Sequence, residues 1–144
     1  MSKVSQIQKK VQSILSSELG SVRVDADGSI SIPYESTLVT IQVEQFAGNA
    51  DETVVDVMAL ISFDTPASSA LYKWINEKNS NLKFGTLYHL ESAKNRVMVL
   101  QYSLLGDFLD PAELLNAVRA VVIVADILDD EVVNEFGGRR FSDK

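Results

Sequence analysis

The segment from Asp110-Pro111-Ala112-Glu113 to Phe136 constrains the fold of this chain more than any other stretch. Asp110 is a residue type that caps helix N-termini, Pro111 suits the first helical position, and Glu113 stands where it can reach back to the cap. Behind this start Leu114, Leu115, Val118, Val121, Val122, Ala125, Leu128, Val132 and Phe136 recur at three- and four-residue steps, so one stripe of the helix is apolar. About 26 residues at ~1.5 Å each make a helix roughly 39 Å long, the width of a whole domain of this size. The helix must therefore be a principal packing element. Ile123 and Val124 lie off the stripe, which makes its middle apolar nearly all round and predicts burial against a second layer or another subunit.

The remaining pattern supplies that layer. Val4, Ile7, Val11, Ile14 and Leu15 mark a first amphipathic helix that Gly20 can end. Val22-Arg23-Val24-Asp25 and Ser29-Ile30-Ser31-Ile32 alternate across Ala26-Asp27-Gly28, a hairpin signal, and Pro33 marks an edge, a bulge or the end of the second strand. Val39, Ile41 and Val43 alternate with Thr40, Gln42 and Glu44, as in a strand with one dry face. From Thr53 to Phe63 both parities are largely apolar, which predicts a central strand covered on both sides. Val55, Val57, Ala59, Ile61 and Phe63 carry the more continuous parity and are expected under the helices. Val54, Met58 and Leu60, with Met98 and Leu100, then form a second apolar face, the candidate peptide or dimer face. Methionine suits such a face because its flexible thioether repacks against unlike side chains. Asp64-Thr65-Pro66 is expected to open a helix carrying Leu71, Trp74 and Ile75, followed by strands near Thr86–Leu90 and Arg96–Tyr102.

Composition removes several classes of function. A chain of 144 residues fits one domain, 1–144, that buries a core without staples. Its net charge of −7 opposes polyphosphate backbones and anionic membranes, so neither nucleic acid nor membrane is an expected partner. Absence of cysteine excludes disulfides, thiolate nucleophiles and sulfur-based zinc sites, and it suits the cytoplasm. The opening Met1-Ser2-Lys3-Val4-Ser5-Gln6 leads into an amphipathic pattern and lacks the apolar run of a signal peptide. The most apolar run, Ala117 to Leu128, is interrupted by Arg119 and Asp126 and is too short to span a bilayer.

Chemistry-bearing motifs are equally sparse. His89 is the single histidine and sits in a strand pattern, where it is read as half-buried rather than catalytic. Asp25-Ala26-Asp27-Gly28 has the opening of a calcium loop, but its twelfth position is Ser36 where a glutamate is needed, so a hairpin turn explains it better. Asp126, Asp129, Asp130, Glu131 and Glu135 are read as a solvated helix face. Arg139 and Arg140 follow the helix and complement the negative end of its dipole. Trp74 is read as a core residue. The seven glycines form no phosphate-binding motif. No catalytic residue, cofactor or metal site is expected, and the chain is read as not an enzyme.

One set of spacings carries more information. Leu71-Tyr72-Lys73-Trp74-Ile75-Asn76-Glu77-Lys78-Asn79, Phe84-Gly85, the Asp110-Pro111 helix with Ala125-Asp126, and Phe136-Gly137-Gly138 together resemble the YbjN-like, type III secretion chaperone-like family from about Val22 to Gly138. The chain departs from that family's pattern at Lys78 and Thr86, where leucine and a basic residue are frequent. The resemblance implies an α+β fold with an antiparallel sheet flanked by N-terminal, central and long C-terminal helices. It also implies frequent homodimers and a non-catalytic, protein- or peptide-binding chaperone-like role with an unidentified client. The alternative is a structural or regulatory homodimeric interaction protein with no chaperone activity.

Overall fold

In a computed structural model that describes residues 2–48 and 51–143, the chain forms three helices and six strands. Met1, Asn49, Ala50 and Lys144 lie outside the described residues. The order is α1 (Lys3–Leu19), β1 (Arg23–Val24), β2 (Ile30–Tyr34), β3 (Thr37–Gln45), β4 (Thr53–Phe63), α2 (Ser69–Asn79), β5 (Thr86–Glu91), β6 (Arg96–Leu105) and α3 (Pro111–Phe136). The strands make one antiparallel sheet in the order β1-β2-β3-β4-β6-β5, as the α+β reading expects. β4 is central, between β3 and β6.

All three helices pack on the same face of this sheet. Ile7, Val11 and Leu15 of α1, Leu71 and Trp74 of α2, and Leu114, Val118, Val121, Ala125 and Val132 of α3 join Val55, Val57, Ala59 and Ile61 in one core. Each helix begins on a side-chain cap. Asp110 Oδ1 accepts the Glu113 N–H at 2.8 Å, Ser68 Oγ accepts the Leu71 N–H at 3.0 Å, and Ser2 Oγ accepts the Ser5 N–H at 3.1 Å. α2 therefore starts after Ser68. Pro66, expected to open it, instead lies in the extended link after β4.

β4 also departs from simple alternation. Its register with β6 shifts between Leu60 and Ser62, so Ile61 and Ser62 are both buried and Phe63, expected in the core, lands on the opposite face beside Val97. Pro33 lies within β2, but β1 covers only Ile30 and Ser31, so at Pro33 the strand is already the sheet's edge.

The residues that resemble a family pattern prove to be joints of the architecture. Gly137 and Gly138, at φ +87° and +91°, turn the chain out of α3 so that Arg139 pairs with Phe63, by N–H to O at 2.9 Å and O to N–H at 2.8 Å. A Cβ on Gly138 would sit 2.4 Å from the Phe63 carbonyl oxygen, which only glycine avoids. Gly85, at φ +96°, brings the chain against Leu100 and the Gln101 carbonyl, while Phe84 stacks on Tyr102 at 5.7 Å. Thr65, fully buried, ties three elements: its Oγ1 meets Ser62 Oγ at 2.6 Å and donates to the Gly137 carbonyl at 3.1 Å, and its carbonyl meets His89 Nε2 at 2.8 Å.

Two substitutions check this account. Asp110→Ala should cost about 1 kcal/mol of stability through loss of the α3 cap. Gly138→Ala should cost about 2 kcal/mol or more, because positive φ and backbone collision coincide there. Urea denaturation measures both, and a Gly138→Ala midpoint equal to wild type would contradict the joint.

Candidate functional site

With all three helices on one side, the other face of the sheet has no covering layer among the described residues. Cross-strand pairing identifies it: Leu38↔Leu60, Thr40↔Met58, Gln42↔Asp56 and Glu44↔Val54 between β3 and β4, then Leu60↔Val99, Met58↔Gln101, Asp56↔Ser103 and Val54↔Leu105 between β4 and β6. Val54, Met58 and Leu60 all lie on this open face and are half-buried. Met98 and Leu100 do not. Leu100 pairs with Ala59 and Met98 with Ser62, and both are fully buried in the core, 0% exposed. The open-face residues of β6 are Val97, Val99, Gln101, Ser103 and Leu105. Both parities of Val97-Met98-Val99-Leu100 are apolar, so sequence alternation carries no signal here; only the register separates them.

The open face is not uniformly apolar. Asp56 lies at its centre, buried, accepting from Ser103 Oγ at 2.6 Å and Gln101 Nε2 at 3.1 Å. Gln101 Oε1 in turn accepts the Tyr88 hydroxyl at 2.7 Å. Burial, followed by the Asp56 charge, raises the Tyr88 phenol above its ordinary pKa. This polar strip divides Met58, Leu60 and Val97 from Val54 and Leu105.

A second apolar surface lies on the helical side. The C-terminal end of α1, strand β2 and the middle of α3 bound a groove of about 480 Å³ lined by Leu19, Ile32, Tyr34, Leu115, Val122 and Ile123, with Glu18 and Arg119 at its rim. Burial all round the middle of α3, against a second layer or another subunit, is the expectation, and the chain's own layer supplies it on one side of the helix. Val121 and Val122 are buried, but Ile123 is 51% and Ile127 64% exposed, because the sheet reaches only one side of the helix. The sequence signal was present in Ile123; the groove itself depends on how α1 and β2 are placed.

The far wall of this groove is tied down by an unexpected cluster. Glu35 and Ser36 form the two-residue turn between β2 and β3, with Glu35 at φ +49°. Ser36 Oγ shares its proton between Asp126 Oδ1, at 3.0 Å, and Asp129 Oδ2 on α3. Asp129, read from sequence as part of a solvated face, is fully buried, and its Oδ1 has no hydrogen-bond partner among the described residues. Asp129 stands seven residues after Val122 and four after Ala125, both buried, so helical spacing sets it beside the apolar stripe, where the turn folds over it. Burial foremost, then the charges of Asp130 and Asp126, raise its carboxyl above the ordinary 3.8, with the Ser36 hydrogen bond opposing.

The remaining sequence candidates have structural partners. Asp25 Oδ2 accepts Ser31 Oγ at 2.8 Å, and Asp27 Oδ1 accepts the Ser29 N–H at 2.9 Å, which makes Asp25–Gly28 a hairpin turn. The Ser31 hydrogen bond, chiefly, lowers the Asp25 pKa. Trp74 is buried, donating Nε1–H to Glu131 at 3.1 Å and meeting Phe136 edge to face at 5.8 Å. Lys78 pairs with Glu131 at 2.9 Å, and its hydrogen bond is the largest cause of that carboxyl's lowered pKa. Arg139 pairs with Asp64, and Arg140 with Asp130 and Asp143. Among the described residues no cluster of three or more His, Cys, Asp or Glu is placed to hold a metal, and no helix is long and apolar enough to cross a membrane.

Comparison with known proteins extends this geometry. A family model described as "T3SS (YopN, CesT) and YbjN peptide-binding chaperone 1" matches residues 5–144. Among solved structures the fold is similar to a chain of the ExsC-ExsE complex, with a TM-score of 0.66 and 13% identity over 92% of this chain and 97% of that one. It is also similar to the Yersinia pestis type III secretion chaperone SycH in complex with a stable fragment of YscM2, with a TM-score of 0.55 and 15% identity over 84% of this chain and 98% of that one. No curated protein matches the sequence.

The buried carboxyl gives a pH test. Below 3.8 Asp129 is protonated folded and unfolded, so it costs nothing. As pH rises from that value through the raised folded pKa, the unfolded chain ionises first and stability is lost, and the loss then stays constant at higher pH. Asp129→Asn removes the charge, so its melting temperature relative to wild type should climb over that window. A difference that is flat with pH would show that Asp129 ionises at no cost.

Proposed function

The chain belongs to the family of T3SS and YbjN peptide-binding chaperones, and from that premise we propose that it captures a segment of a client protein in the groove between α1, β2 and α3. The observation that carries this reading is the exposure of large apolar side chains where they converge. Leu19, Tyr34 and Ile123 are each about half exposed, yet they face one concavity whose floor is Val122 and Leu115. Isolated exposed apolar residues need no explanation, whereas a concave cluster with a charged rim of Glu18 and Arg119 is the form of a recognition site. An amphipathic or extended segment would place apolar side chains against Ile123 and Val122. The role is binding without catalysis. A cytoplasmic setting accords with a chain free of cysteine.

A homodimer is part of the same proposal. The open sheet face offers Met58, Leu60 and Val97 for a second copy, and its polar strip supplies Asp56, Gln101 and Ser103 to fix register across a two-fold axis. The groove is left to the client and the face to the partner subunit.

Two substitutions separate these surfaces. Against a peptide selected from a display library on the wild-type protein, Ile123→Glu should weaken binding by about tenfold or more while leaving sedimentation mass unchanged. Met58→Asp should reduce the mass to that of a monomer and leave peptide affinity nearly intact. Loss of peptide with Met58→Asp and not with Ile123→Glu would move the client to the open face. A wild-type protein that sediments only as a monomer at micromolar concentration would remove the dimer.

A further inference from the structure

We infer that Asn79 closes the β5 edge of the sheet against strand addition. β5 is the outermost strand on its side, so one row of its backbone groups faces away from β6. Asn79, the last residue of α2, takes both groups of Leu87 in that row: its Oδ1 accepts the Leu87 N–H at 2.8 Å, and its Nδ2 donates to the Leu87 carbonyl at 3.0 Å. A side-chain amide carries the same donor and acceptor as a peptide group. Asn79 thus makes the two bonds that a neighbouring strand would make to this residue.

Because Leu87 spends both groups outward, antiparallel alternation assigns Thr86, Tyr88 and Leu90 to the β6 ladder and turns His89 and Glu91 outward as well. Neither has a side-chain amide on its outward backbone among the described hydrogen bonds. The strand is one that needs protection. Thr86-Leu87-Tyr88-His89-Leu90-Glu91 is rich in β-prone residues, has no proline and carries charge only at its end, and Leu90 is half exposed beside it. An unprotected edge of this composition is a template for a second copy of the same strand. Asn79 blocks the register at its start, where Gly85 has already pressed the chain onto Leu100 and Gln101. The asparagine at the end of α2 is therefore a specificity-determining residue that denies one sheet edge to strand partners. This holds whether or not a client uses the groove.

Amide hydrogen exchange and sedimentation test it. In the wild-type protein Leu87 should exchange about tenfold or more slowly than His89, although both face outward. Asn79→Ala and Asn79→Ser should remain folded and gain mass over wild type as concentration rises, with the His89 and Glu91 amides gaining protection in step. A residue that merely pins α2 would lower the melting temperature without that concentration-dependent protection at β5. The inference is overturned if Leu87 exchanges as fast as His89 in the wild type, or if either folded variant keeps the wild-type mass and β5 exchange across the series. Should neither variant fold, the wild-type exchange ratio decides alone.

Discussion

The packing of α3 along β4 is the contact on which the rest of the molecule depends. Val121, Ala125, Leu128 and Val132 lie on one face of a 26-residue helix, and Val55, Val57, Ala59 and Ile61 on one face of an 11-residue strand. Burying each large apolar side chain is worth on the order of 1.5–3 kcal/mol, and no other helix packs on a strand so extensively. α1 then fills the space beside α3 over β3, and α2 covers the β5 end. Once these helices share one face, the opposite face has no covering layer among the described residues.

That asymmetry has two consequences for recognition. The sheet presents a broad open face whose apolar residues are divided by the Asp56–Gln101–Ser103 strip. α3, wider than the sheet can cover, leaves Ile123 and Ile127 exposed beside β2 and α1. Flat and divided in one case, concave and continuous in the other, the two surfaces suit different occupants: a symmetric partner satisfies a polar strip by matching itself, whereas a peptide gains most from a groove. The Ser36 turn, held to Asp126 and Asp129, keeps the β2 wall of that groove against the helix.

The turns and caps serve this arrangement. Gly137-Gly138 sends the chain back to pair with the end of β4, Gly85 lets β5 begin close to β6, and Thr65 links both joints to His89. Gly85 and Gly137-Gly138, which belong to the family-like spacings, hold positive-φ conformations that glycine adopts without strain. They hold the frame of sheet and helices and line neither the groove nor the open face.

The sequence by itself determined which elements form. Capping at Asp110, helical periodicity in α1 and α3, the Asp27-Gly28 hairpin and alternation along β3 are all local, so each is legible from neighbours within a few residues, and the core parity of β4 from Val55 to Ile61 follows from them. Tertiary structure alone decided what faces what. Met98 and Leu100 fall in the core, and Phe63 outside it, because register and a one-residue bulge set strand faces, and neither is encoded in apolar content when both parities are apolar. Asp129 already borders the buried stripe of α3, but what it meets there is a turn 93 residues away in sequence, and Asn79 meets Leu87 because α2 folds back on the strand that follows. Side-chain identity carries local preference; the meeting of distant segments is settled by how the whole core packs.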